Sequence, residues 1–179
     1  MITDPELYEL AARVGQRLRA AGRLLVTAES CTGGWVSKAL TDVPGSSQWF
    51  ECGFVTYSNA AKMRDLGVAP GTLASFGAVS EPTVREMATG ALRVAGANVA
   101  LAVSGIAGPD GGAPGKPVGT VWFCVAARRD TALDVIAEDQ LFGGDRAAVR
   151  SLAVRHALRL ILRLDLPVQR ESAPRVEPV

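Results

Sequence analysis

The stretch Leu24 to Gly34, Leu-Leu-Val-Thr-Ala-Glu-Ser-Cys-Thr-Gly-Gly, constrains the fold more than any other part of the chain. A short apolar, β-prone run ends at Ala28 and a small polar group follows. Two glycines then open a helical segment through Trp35, Val36, Ala39 and Leu40. Ser30 therefore stands at a strand-to-helix corner, a place that exposes a nucleophile. The first turn of the helix that follows would offer backbone N–H groups without intrahelical partners. Gly33 and Gly34 would let a ligand approach the backbone, so an anion or oxyanion is expected there. The same residues also suit a polar helix cap with glycines for tight packing.

The chain has 179 residues, 48% of them hydrophobic, and a formal net charge of +1, enough for one globular domain with an ample core. That domain is expected over residues 1–166. The tail from 167 to 179, rich in Pro, Arg and Glu and without an apolar period, is expected to be disordered. No basic stripe is present to bind nucleic acid. No stretch reaches the roughly 20 apolar residues that span a bilayer, and the N-terminus does not read as a signal peptide, so a cytoplasmic protein is expected. Cys31, Cys52 and Cys124 are too scattered for a disulfide framework or a zinc site. The single histidine, His156, excludes a multi-histidine metal centre, and excludes a serine–histidine triad unless it reaches Ser30.

Local signals order the rest. A first helix is capped by Thr3 or Asp4 with Pro5 at its first position, and Gly22 ends it. Strands are expected at about Arg23 to Ala28, Phe50 to Tyr57 and Val99 to Val103, the last buried on both faces and central. Ser58-Asn59 caps a short helix carrying Lys62, a weak helical segment runs from Leu73 to Phe76, and Ser80 caps a longer helix ending at Gly96. Val118 to Ala127 and Leu133 to Leu141 flank a turn and read as a hairpin, which makes the sheet mixed. Asp145 caps a last helix on which His156 reads as a core or rim residue.

The glycine-dense loop Ser104 to Gly112 follows the central strand and continues to Lys116-Pro117-Val118-Gly119-Thr120. Ligands of open α/β sheets bind beyond the carboxyl ends of the strands, so this loop and the Ser30 corner are expected on one rim. A hydrolytic Ser30 needs a base, and the candidates there are Lys62, Lys116, Tyr57 and Glu29. Lys62 suits best, because a desolvated lysine can be held neutral and it follows the aromatic end of the second strand.

Five motifs in order carry a resemblance: Glu29-Ser30-Cys31-Thr32-Gly33-Gly34, Tyr57-Ser58-Asn59 with Lys62, Gly77-Ala78-Val79-Ser80-Glu81, Ser104 to Gly112, and Lys116 to Thr120. The chain resembles the CinA C-terminal domain family from about the first helix through the last. The resemblance implies a three-layer α/β/α sandwich with a mixed, mostly parallel sheet, and hydrolysis of the carboxamide of nicotinamide mononucleotide (NMN) in pyridine-nucleotide salvage. It implies no metal or organic cofactor and NMN as the small-molecule partner, with self-association as a homo-oligomer compatible. Ser30 matches the nucleophile and Lys62 the base, with Tyr57 as a proton-relay or orienting group. Backbone near Thr32 to Gly34 or at Ser104-Gly105 would hold the oxyanion, Glu29 joins the substrate-binding set, and Arg146 and Lys116 are the phosphate candidates. A rival reading is a module that binds a pyridine nucleotide or phosphate without catalysis, and it would want Lys62 charged. A third, an interaction domain whose glycines serve packing alone, predicts no small-molecule affinity.

Overall fold

The computed structural model describes residues 4–129 and 132–167. The expected disorder of the tail therefore falls, apart from Pro167, outside the described residues, as do Thr3 and hairpin-turn residues Asp130 and Thr131. Among the described residues six α-helices, α1 (Pro5–Ala20), α2 (Trp35–Thr41), α3 (Asn59–Leu66), α4 (Pro70–Phe76), α5 (Glu81–Ala95) and α6 (Arg146–Ile161), surround one sheet. Its strands are β1 (Leu25–Glu29), β2 (Phe50–Val55), β3 (Val99–Gly105), β4 (Thr120–Arg128) and β5 (Leu133–Leu141), in the order β2-β1-β3-β4-β5. β3 is central, as expected for a strand buried on both faces. β1 pairs in parallel with β2 and β3, whereas β3–β4 and β4–β5 are antiparallel. Four strands run one way, yet the ladders divide evenly, because the reversed strand lies inside the sheet. Among the described residues no helix is long and apolar enough to cross a membrane.

The sheet separates two cores of different texture. On one face Leu25, Leu101, Val103, Phe123 and Val125 meet α1, α2 and α6. On the other, Ala28, Ala100, Ala102, Cys124 and Ala126 present small side chains to α3, α4 and α5. Small residues let α5 settle close, and a Cβ at its Gly90 would stand 1.9 Å from the Leu66 carbonyl oxygen, so only glycine fits where α5 crosses the end of α3. Helix starts follow their caps: Asp4, Ser58, Ser80 and Asp145 each accept a hydrogen bond from a first-turn amide, and Pro5, Pro70 and Pro82 occupy first-turn positions. β2 ends at Val55, two residues short of the expected boundary, which leaves Tyr57 beyond the ladder and 60% exposed.

Candidate active site

Ser30 follows the last residue of β1, and its amide donates to the Val103 carbonyl of β3. Alternation along β1 directs Val26, Ala28 and then Ser30 to the α5 face, where α3 delivers Lys62. Lys62 is only 1% exposed. Its Nζ lies 3.0 Å from Ser30 Oγ and 2.6 Å from the Thr56 carbonyl oxygen. Desolvation lowers its pKa from 10.5 to about 8. Charged, the amine donates to both oxygens. Neutral, it keeps an N–H for Thr56 and turns its lone pair to the Ser30 hydroxyl.

These groups open into a cavity of about 200 Å³ whose lining includes Ser30, Cys31, Tyr57, Lys62, Ser104 and Arg146. Ser104 Oγ donates to the Ala78 carbonyl, and Ala78, Val79 and Ala107 supply apolar wall. Arg146, the first residue of α6, donates to the Gly108 carbonyl at 2.8 Å and to Tyr57 Oη at 3.0 Å, tying the glycine loop to the end of β2. Cys31 also reaches the cavity, but burial pushes its thiol up to about 11. A larger open cleft of about 640 Å³ lies at the opposite end of the sheet. Its Arg93 and Arg128 are engaged by the carbonyls of Leu66, Leu92 and Ala97, and among the described residues it contains no nucleophile with a base.

A family model, the CinA C-terminal domain, matches residues 7–164. The chain belongs to the CinA C-terminal domain family. It is 56% identical over 160 residues to the nicotinamide-nucleotide amidohydrolase PncC of Escherichia coli K12, covering 89% of this chain and 95% of that protein. A putative competence-damage inducible protein of Symbiobacterium thermophilum is 54% identical over 86% of this chain, which spans 37% of that longer protein. Among solved structures, the competence/damage inducible protein CihA of Agrobacterium tumefaciens superimposes with a TM-score of 0.86 at 43% identity, covering 90% of this chain and 97% of that one. The CinA α/β/α architecture expected from the sequence is the architecture found.

Within this CinA domain the structure brings Ser30, Lys62, Tyr57, Ser104, Gly105 and Arg146 together and keeps five other candidates out. Glu29 is fully buried, and its carboxylate accepts from the Val36 amide (3.0 Å), the Ser37 amide (2.8 Å) and the Ser37 hydroxyl (2.6 Å). It caps the first turn of α2 and does not line the cavity. The helix N-terminus expected to receive an anion is already occupied by the chain's own carboxylate. Thr32, Gly33 and Gly34 do not line the cavity. The backbone there is left-handed, with φ of 63° and 89°, and by itself requires glycine at both positions. Lys116 donates to the Phe76 carbonyl at 2.7 Å, fastening the loop to the end of α4 outside the cavity. His156 contacts Glu138 at 2.8 Å and packs on Phe123, so it cannot serve Ser30. The sequence reading missed the Thr56 carbonyl, which has no side-chain signature. It also missed Arg150 of α6, whose guanidinium holds the turn after Ser30.

Proposed function

We propose that this chain is a nicotinamide-nucleotide amidohydrolase that converts NMN to nicotinate mononucleotide and ammonia, with Ser30 as nucleophile and Lys62 as general base. It is a hydrolase acting on a carboxamide C–N bond. The observation that carries the reading is the buried 3.0 Å contact between Lys62 Nζ and Ser30 Oγ, two residues that line the cavity. The 56% identity to an Escherichia coli protein of that activity supplies the substrate.

The chemistry follows from the protonation states. Neutral Lys62 takes the Ser30 proton as Oγ bonds to the carboxamide carbon, and the carbonyl π electrons move onto oxygen. Collapse of the tetrahedral species expels the amine, which leaves as ammonia carrying the proton held on Lys62, and an ester remains on Ser30. Water then attacks that ester, Lys62 again accepting and returning the proton, and the carboxylate departs with Ser30 restored. Tyr57 and Arg146, already hydrogen-bonded to each other at the cavity mouth, orient the nucleotide, and Arg146 keeps donor capacity for its phosphate. A Lys62 held largely neutral at mildly alkaline pH favours this reading over a module that only binds a phosphate, which would gain from a charged lysine. A place in pyridine-nucleotide salvage follows from the product, and the chemistry runs in the cytoplasm where such nucleotides are held.

Ammonia release measured by coupled assay tests the proposal. Wild-type protein is expected to release ammonia from NMN in the presence of EDTA and to act far more slowly on free nicotinamide. Ser30→Ala loses on the order of 10⁴-fold or more in kcat, as expected for a nucleophile. Equal turnover of the two substrates, or an active Ser30→Ala, would overturn it.

A further inference from the structure

The turn that follows Ser30 is held from outside by one residue of α6. Arg150 Nε donates to the Cys31 carbonyl at 3.0 Å and its Nη2 to the Thr32 carbonyl at 2.9 Å, while the guanidinium lies over Trp35 at 5.5 Å from the ring centroid. Those two carbonyls belong to the peptide units that carry the Thr32 and Gly33 amides. A peptide unit is planar with N–H and C=O opposed, so a carbonyl drawn toward α6 aims its amide away from α6. The Ser30 carbonyl is fixed in turn by the Gly33 amide at 3.0 Å, which sets the plane carrying the Cys31 amide. Of the four amides from Ser30 to Gly33, those of Ser30 and Gly33 are spent on Val103 and Ser30 carbonyls. Those of Cys31 and Thr32 donate to no other residue among the described ones. Of these two, Cys31 lines the cavity, and an unspent amide directly after a nucleophile, on a peptide plane fixed by neighbouring bonds, is what an oxyanion requires.

The geometry points to Arg150 as a positioning residue: its two-pronged grip on the Cys31 and Thr32 carbonyls fixes the turn and, through the Gly33-to-Ser30 bond, the plane of the free Cys31 amide beside Ser30 that receives the oxyanion. Arg150 touches no reacting atom. A planar fork is needed, because a lysine ammonium is a point donor and would leave one carbonyl free to turn. The inference rests on the amidohydrolase reading for its natural substrate, and Ser30 supplies a readout that does not depend on NMN.

The test compares Arg150→Lys and Arg150→Gln with wild type in four measurements: kcat for NMN, Kd for nicotinate mononucleotide, thermal midpoint, and the rate of Ser30 phosphonylation by a fluorophosphonate followed by mass spectrometry. The expected loss in kcat is about 10- to 100-fold, less than the removal of an oxyanion donor itself, with product Kd within about 2-fold and phosphonylation slowed in parallel. The pH midpoint should stay in place, since Lys62 is untouched. Wild-type phosphonylation rates in both folded variants would overturn the proposal, as would a product affinity that falls in step with kcat. Should wild type fail to release ammonia from NMN, the substrate reading falls, and the phosphonylation comparison still decides the role of Arg150.

Discussion

Ser30 is flanked by two buried ionisable side chains that the fold treats in opposite ways. On the α2 side Glu29, with no exposed surface, receives two backbone amides and a hydroxyl, so both carboxylate oxygens are satisfied by donors that cannot move away. On the α3 side Lys62, 1% exposed, receives a carbonyl and the Ser30 hydroxyl, and no carboxylate pairs with it among the described residues. Burial is common to both. What separates a structural charge from a reactive group is whether the surroundings supply the complement that water would have supplied. The fold completes Glu29 and withholds completion from Lys62, whose pKa falls to about 8 as a result.

The sharpest way to break that contrast is Lys62→Arg, which keeps a cation at the site but cannot offer a neutral base. It should lose at least ~100-fold in kcat, close to Lys62→Ala. In the wild type, kcat/KM for ammonia release should rise with pH along one limb with its midpoint near 8, because the protonated amine below that pH cannot accept the Ser30 proton. An active arginine variant with the limb unchanged would move the base elsewhere.

Glu29→Ala should act on stability. It strands the Val36 and Ser37 amides and costs about 2–4 kcal/mol, a fall in thermal midpoint of roughly 5–15 °C for a domain of this size. Glu29→Gln should lose less, since the amide oxygen still accepts one of the bonds. An unaltered midpoint in Glu29→Ala, with activity gone, would put Glu29 in the same class as Lys62.

Lys62→Met should move stability in the reverse direction. The lysine pKa in the fold, about 8, lies below its ordinary 10.5. Between those values the unfolded chain binds more protons, so wild-type stability rises with pH across that window, and below about pH 8 the fold carries the full cost of a buried ammonium. The methionine variant should therefore melt higher than wild type at pH 6, with the advantage shrinking toward pH 10.5 in calorimetric scans. A constant difference across that range would show that the lysine pays no desolvation cost in the fold.

The smallest effect belongs to Cys31→Ala. A thiol pushed up to about 11 is almost wholly protonated at neutral pH, so turnover should stay within about 3-fold of wild type. Loss on the scale of Ser30→Ala in the same ammonia assay would transfer the nucleophile to Cys31.

Local chemistry made much of this legible in the sequence. Caps and prolines announced the helices, the unbroken apolar run announced β3, and the glycine-punctuated corner announced Ser30. Tyr57 and Lys62 could be placed beside the Ser30 corner because Ser58 starts α3 soon after β2, so a few residues fix both side chains against the strand end. Glu29 could not. Its partners are seven and eight residues onward, across a turn whose path depends on left-handed glycines, and nothing local distinguishes a cap from a ligand. Lys116 looked like a phosphate ligand because lysine after a glycine loop has that appearance, whereas the Phe76 carbonyl that claims it is 40 residues away. Arg150 had no signal at all: it is one of several arginines on α6, and only the packing of that helix on the Ser30 turn singles it out.

The spread of these partners along the chain also fixes when the site can come into being. Ser30 meets Lys62 across 32 residues, and Cys31 meets Arg150 across 119, so the longest link joins the first strand's turn to the last helix. Closing contacts of such separation is slow, and the ends of the chain have to dock before the turn is gripped. In a refolding experiment the β1–β2–β3 half could regain its ellipticity while Ser30 stayed inert. Recovery of catalysis would then clock the arrival of α6, which makes Ser30 a built-in reporter of the docking of that helix.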